Sequence, residues 1–285
     1  MAPNLSKRED DENKVLPKII SGEAPLVVVL SPHLDDAVFS LGGAIASCTR
    51  QAGKVTILTI FAGIPTRLPQ VGRHFHDKYN LPPNIVTLRR CEDVRAASVV
   101  GAQTVHLNHL DAIYRHRDGD GSFLSMRDVL SADMNMEADL VSDVMQALTN
   151  CAAMLHADIV CVPLGIGGHI DHLITREAAE RWVASKSTHH TVLQFYEDFP
   201  YVARATGDWL YDMTSGARPL LIEASEQDWK IKLQAVACFS SQISIMWSGG
   251  LSYEAEMLAY ARRLPTEVQF AERVWQREIE RDQEA

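Results

Sequence analysis

Pro25-Leu-Val-Val-Val-Leu-Ser31, running into Pro32-His33-Leu34-Asp35-Asp36, decides how this chain is read. The run is apolar without polar alternation and rich in β-branched residues, which describes a strand covered on both faces. Such strands belong to parallel sheets flanked by helices. Directly after it, residues 36–51 carry apolar side chains at helical spacing and stop before Gly53, and residues 54–61 form a second buried strand. The unit then repeats. Helices are predicted over 84–100, 137–153 and 170–185, and extended segments over 104–108, 158–163 and 191–196. Strands alternating with helices predict an α/β fold, Rossmann-like and doubly wound, with a mainly parallel sheet and helices on both faces.

Beyond Pro200 the pattern weakens to a strand over 219–223, helices over 226–238 and 253–261, and an extended 267–275, read as a C-terminal extension on the same sheet. Residues 62–83 and 112–135 lack a clean period and read as loops. The expected organisation is a flexible leader over 1–20, a single domain over 21–275 and a charged, solvated tail over 276–285.

Composition narrows the function. Of 285 residues 46% are hydrophobic and 22% charged, enough for a sizeable core. Lys and Arg number 27 against 37 Asp and Glu, a net charge of −10 with no basic stripe, so nucleic acid is disfavoured as a partner. Cys48, Cys91, Cys151, Cys161 and Cys238 are scattered and show no CxxC spacing, which points to free thiols in a reducing cytoplasm. Residues 1–18 have no apolar signal core, and no run approaches the roughly 20 apolar residues of a membrane span. A homo-oligomer is left open.

In open α/β sheets ligands bind beyond the carboxyl ends of the strands. Two of those ends are loaded: His33, Asp35 and Asp36 after the first strand, and His169, Asp171 and His172 after the strand at 158–163. Each cluster alone has an ordinary explanation, since Asp is a favoured N-cap and charges suit a helix start. Two clusters at one pole of one sheet are a catalytic metal site with an open position, suited to Zn²⁺, with Fe²⁺ or Co²⁺ also compatible. Dinucleotide binding fails, because the third glycine that would follow Gly165 and Gly167 falls on Ile170. A serine-hydrolase elbow, G-x-S-x-G, is absent. The remaining histidines, His74, His76, His106, His109, His116, His156, His189 and His190, are read as surface or core groups.

His33-Leu34-Asp35-Asp36 resembles the His-Pro-Asp-Asp motif of the PIG-L/LmbE-like N-deacetylases, and His169-Ile170-Asp171-His172 their His-x-Asp-His. Arg89 to Glu92 is similar to the family's Arg-x-x-Glu segment, Leu110-Asp111 to its substrate-side aspartate, and residues 232–242, ending Ser-Ser-Gln, to its C-terminal part. The resemblance implies His33, Asp36 and His172 as metal ligands, Asp35 as general base and His169 as general acid or oxyanion stabiliser. It gives Asp171 the orienting and charging of His169. It puts Arg89 and Asp111 on substrate hydroxyls or a phosphate, although an ion pair or helix-start charge explains them equally.

The implied reaction is hydrolysis of the acetamide of an N-acetylated amino sugar, such as N-acetylglucosamine, or of a sugar conjugate. The alternatives are cleavage of another amide, such as that of a thiol-sugar conjugate, and a non-catalytic sugar-binding protein. Leu34 and Ala37 replace the family's usual Pro and Glu, neither of them a ligand. Gly167 stands where some members carry a tyrosine, so oxyanion help from such a side chain is absent or comes from elsewhere. Tyr196-Glu197-Asp198 is the candidate for it.

Overall fold

A computed structural model describes residues 25–115, 126–130, 133–185, 191–205, 210 and 213–277. The expected leader and most of the tail lie outside these residues. In chain order the elements are β1 (Leu26–Ser31), α1 (Asp36–Arg50), β2 (Lys54–Thr59), α2 (Gln70–Tyr79), α3 (Ile85–Val99), β3 (Gln103–His106), α4 (Met126–Val129), α5 (Ala138–Asn150), β4 (Ile159–Pro163), α6 (Ile170–Ala184), β5 (Val192–Tyr196), α7 (Tyr201–Arg204), β6 (Ala217–Glu223), α8 (Glu226–Val236), α9 (Ser240–Met246), α10 (Tyr253–Ala261) and β7 (Ala271–Arg277).

The seven strands form one sheet in the order β3-β2-β1-β4-β5-β7-β6. The first five pair in parallel, and β7 runs antiparallel to both β5 and β6. Val28 to Leu30 of β1 and all of β4 are buried, as continuous apolar strands between two helical layers must be. From β1 the chain steps outward to β2 and β3, then returns to β4 and β5 on the other side. The switch point therefore lies between β1 and β4, where such a sheet opens a crevice for ligands. The two histidine-aspartate clusters leave the sheet from these two strands.

Three expectations are corrected. The loop predicted over 62–83 contains α2; only Val71, Gly72 and His76 of it are buried, so its sequence shows little apolar period. A helix unforeseen in the sequence, α9, follows α8. β7 extends to Arg277, two residues into the segment expected to be tail, because its ladder with β6 runs from Ala271↔Glu223 to Arg277↔Ala217.

The C-terminal extension also shapes α1. That helix breaks at Leu41 (φ −124°, ψ 17°). Just beyond the break the Glu272 carboxylate accepts the N–H groups of Gly43 (3.1 Å) and Ala44 (2.7 Å), replacing the bonds lost at the kink. Lys232 pairs with Glu272 at 2.5 Å, both buried. Its stem fills the space above Gly42, where an added Cβ would come within 2.8 Å of it.

Candidate active site

Asp35 occupies the N-cap position of α1, yet its side chain makes no capping bond. Ser31 Oγ accepts the N–H of Ala37 instead (3.0 Å). Asp35 is thereby released, and it receives the Arg89 guanidinium, Nη2 to Oδ2 3.4 Å. The capping explanation for this carboxylate fails, and its burial at 5% exposure demands another use. Burial pushes the Asp35 carboxyl up to about 6, against the pull of Arg89.

Asp36 turns the other way. Its Oδ2 accepts the backbone N–H of His33 (2.8 Å) and lies 3.2 Å from His33 Nδ1 and 3.3 Å from His172 Nε2. Burial opposes its charge, but His172 and His33 outweigh it and hold the carboxyl well below the usual range. Ring nitrogens of His33, His169 and His172 lie within 4.8 Å of one another. His172 is fully buried, and its Nε2 has no hydrogen-bond partner among the described residues.

Both rings beside Asp36 are backed by carboxylates. His172 Nδ1 meets Asp198 Oδ1 at 2.6 Å, while Asp198 Oδ2 accepts the N–H groups of Gly165 (2.8 Å) and Ile166 (2.9 Å). His33 Nε2 meets Asp171 Oδ2 at 2.9 Å, and Asp171 is in turn held by Arg115 Nη1 (2.5 Å) and the N–H of Ala112 (2.9 Å). With Nδ1–H of His172 and Nε2–H of His33 engaged, the atoms left to give a lone pair to an ion, once it displaces any proton there, are His172 Nε2 and His33 Nδ1, the two that flank Asp36. An orphaned buried nitrogen, a second imidazole lone pair and a carboxylate oxygen converging on one point fit a divalent metal ion.

His169 differs. Its Nδ1 accepts the backbone N–H of Asp171 (3.2 Å), capping α6, so its own proton sits on Nε2. Burial and the neighbouring His33 push its pKa well below the ordinary value, leaving a neutral imidazole with an N–H to donate. The Asp171 carboxylate, expected to orient and charge this ring, is spent on His33 and Arg115. Its backbone N–H is the group that hydrogen-bonds His169, while its charge acts on that ring through space and opposes the fall in pKa.

Asp111 caps the turn at Ala112–Tyr114 through Oδ1 and leaves Oδ2 3.8 Å from His33 Nε2. Arg89 lies beside Asp35, with its Nε buried and without a hydrogen-bond partner among the described residues. The structure therefore gathers all eight residues singled out in the sequence: His33, Asp35, Asp36, Arg89, Asp111, His169, Asp171 and His172. Of Tyr196-Glu197-Asp198, only Asp198 faces the cluster. Tyr196 donates to the Leu30 carbonyl (2.9 Å), and Glu197 accepts from Arg273, Trp275 and Tyr260. Arg115 was missed, because its value lies in contact with Asp171, 56 positions along the chain. His76 and His106, read as ordinary, hold Tyr114 and Asp93 respectively.

An open α/β sheet with histidine and carboxylate donors converging at its switch point defines a class of hydrolase site. Residues 28–183 match the PIG-L family, described as GlcNAc-PI de-N-acetylase, and the chain belongs to that family. The 2'-N-acetylparomamine deacetylase of Streptomyces fradiae is 29% identical over 208 residues, 71% of this chain and 66%, just under two thirds, of that protein's length. A deacetylase of the teicoplanin biosynthesis pathway superposes with a TM-score of 0.76 at 27% identity, covering 87% of this chain and 96% of that one. The zinc-inhibited form of a teicoplanin deacetylase superposes at 0.74 with 25% identity and the same coverage. No helix among the described residues is long and apolar enough to cross a membrane.

Proposed function

We propose that this protein hydrolyses the N-acetyl group of an amino sugar or amino-sugar conjugate, releasing acetate and the free amine. The observation that carries the reading is Asp35: a buried carboxylate relieved of capping, tuned towards neutrality and adjacent in sequence to the carboxylate that faces both imidazoles. The names of the similar proteins, which act on 2'-N-acetylparomamine or belong to teicoplanin biosynthesis, support the substrate class.

His33, Asp36 and His172 would hold the ion. Zn²⁺ is the proposed one, supported by the two-imidazole, one-carboxylate donor set and by the relative solved in a zinc-inhibited form. Bound there, it supplies Lewis acidity to the amide carbonyl and to the attacking water. Asp35 accepts the water proton as general base, and a carboxyl near 6 is ionised at neutral pH while remaining basic enough for that task. Arg89 keeps Asp35 charged and in place. His169 offers Nε2–H to the carbonyl oxygen as charge builds there, and the proton that Asp35 has taken from the water is the one passed to the departing nitrogen. Arg89 and Asp111, at the rim of the cluster, are the proposed contacts for sugar hydroxyls. The five free cysteines support a reducing compartment, and the cytoplasm is the proposed location.

Acetate release from a panel of N-acetylated amino sugars and aminoglycosides tests the reading. Asp35→Asn is expected to lower kcat by about 10²- to 10⁴-fold while metal stoichiometry stays the same. An undiminished kcat in that variant refutes the mechanism. Tight sugar binding without acetate release in the metal-loaded protein favours the non-catalytic alternative.

A further inference from the structure

The site contains a polar group that the reading above leaves without work. Tyr201 opens α7, immediately after the loop that carries Asp198. Its ring stands at 90° to the His172 imidazole, with centroids 5.7 Å apart. The other side of the ring rests on Gly167, where an added Cβ would lie 2.7 Å from Tyr201 Cδ1 and 2.9 Å from Cγ. Gly167 also has φ +87°, so the position demands glycine twice, for its backbone and for the ring above it. The loop between β4 and α6 is thus shaped to admit one aromatic ring beside the metal-facing histidine.

The hydroxyl is the telling atom. Asp36, Asp35, Asp198 and Asp111 all lie close enough to act on it electrostatically, yet it makes no hydrogen bond among the described residues. Tyr201 is half-buried, so water can serve its hydroxyl in the free protein and give way to an acceptor that enters from solution. A structural ring that only packed against Gly167 and His172 would be served as well by phenylalanine. An O–H donor next to the metal cluster and Asp35, with no protein acceptor engaged, is placed for a partner that arrives with the substrate.

We propose that Tyr201 is a further catalytic residue, donating its O–H to the carbonyl oxygen of the scissile amide and holding the oxyanion together with Nε2–H of His169. The assignment rests on the amide-hydrolase reading of the same site. The carbonyl oxygen is the acceptor that suits it best, because Tyr201 stands against His172, one of the residues that would hold the ion, and the scissile amide has to be presented to that ion. Since the phenol keeps its proton at neutral pH, it can donate to an oxygen that gains charge, and that bond strengthens as the tetrahedral state forms.

Tyr201→Phe preserves the ring and its packing on Gly167, so the test is free of folding effects. It is made with a substrate that the wild-type protein cleaves; if wild type binds metal but cleaves no N-acetyl substrate, the parent reading fails instead. Expected are a fall in kcat on the order of 10²-fold, a KM near the wild-type value and unchanged metal affinity. A tetrahedral methylphosphonamidate analogue of the substrate should also bind the variant more weakly by a similar factor. A wild-type kcat in Tyr201→Phe, or a defect confined to KM with analogue binding intact, overturns the assignment. Loss of metal affinity in the phenylalanine variant overturns it too, by showing that the hydroxyl serves the ligand shell.

Discussion

Replacing Asp198 by asparagine changes one atom and should disable metal binding through the tautomer of His172. Asp198 Oδ2 accepts two loop N–H groups, from Gly165 and Ile166, and Oδ1 faces His172 Nδ1 at 2.6 Å. The asparagine oxygen must stay on the two N–H groups, because turning the amide round would set its NH₂ against two donors. The NH₂ is then forced towards Nδ1, and donor meets donor unless the imidazole gives up its Nδ1 proton and keeps one on Nε2 alone. That places N–H where the lone pair is needed, 3.3 Å from Asp36 Oδ2. To take up the ion the ring must restore the Nδ1 proton against the NH₂, at the cost of a buried unmet donor, about 1–3 kcal/mol. At about 1.4 kcal/mol per tenfold that is roughly 5- to 150-fold in metal affinity, in line with the about 10- to 100-fold seen on losing a histidine's supporting partner. The melting temperature of the metal-free protein should hardly move, since the loop cradle survives; Asp198→Ala, which abandons both N–H groups, should lower affinity and melting temperature together. Competition against a chromophoric chelator and thermal melts of the metal-free forms read the two effects. Wild-type affinity in Asp198→Asn refutes the tautomer argument. A metal-free melting temperature as low as that of the alanine variant shows that the role is purely structural.

Arg89→Met removes the guanidinium that opposes the upward push of burial on Asp35. The base is active when ionised, so its pKa marks the acidic limb of kcat/KM, and the variant's limb should shift to higher pH, with the greatest loss of rate below neutrality. An unmoved limb in a pH-rate profile removes Arg89 from that task. Lys232→Met leaves the Glu272 carboxylate buried with only two backbone donors, and breaking such a pair should cost about 3–5 kcal/mol in urea unfolding. A loss below about 1 kcal/mol would mean the pair contributes no more than a surface ion pair.

The parallel half of the sheet was legible because its strands are buried on both faces, so hydrophobic runs such as 26–31 and 159–163 have no other stable home. Likewise both histidine-aspartate clusters were found, since each follows its strand within a few residues. α2 was not legible: Gln70–Tyr79 buries three positions, one of them a glycine, and its place is set by contacts with the turn before Arg115. Nor was the insertion of β7 between β5 and β6, because Ala-Glu-Arg-Val-Trp-Gln-Arg carries charges whose burial makes sense only beside Lys232 and the kink of α1. Sequence position flagged Asp198 as a polar strand end without naming its partner, 26 residues away. Tyr201 carries no sequence signal at all; its meaning comes from the missing side chain of Gly167, on another loop.

The order of the strands explains why these supports come from where they do. His33 leaves β1 and is backed by Asp171, which leaves β4; Asp171 is held by Ala112 and Arg115, which follow β3. His172 leaves β4 and is backed by Asp198, which leaves β5. Each loop therefore steadies a side chain on another, and the donor geometry exists only when β3-β2-β1-β4-β5 is assembled in that order. Charge gives the arrangement its purpose. Asp35, Asp36, Asp111, Asp171 and Asp198 crowd around the rings, while among the described residues only Arg89 and Arg115 approach these carboxylates as permanent cations. Five acids against two guanidiniums, largely out of water, repel one another unless further positive charge joins them. In the metal-free protein that charge comes from the rings, since the pKa values of His33 and His172 are raised by these same aspartates in spite of burial, which acts to lower them. A divalent ion between His33, Asp36 and His172 would replace those ring protons, so metal uptake at neutral pH should release protons into a weakly buffered solution, and release should diminish as pH rises through about 9, where His172 loses its own.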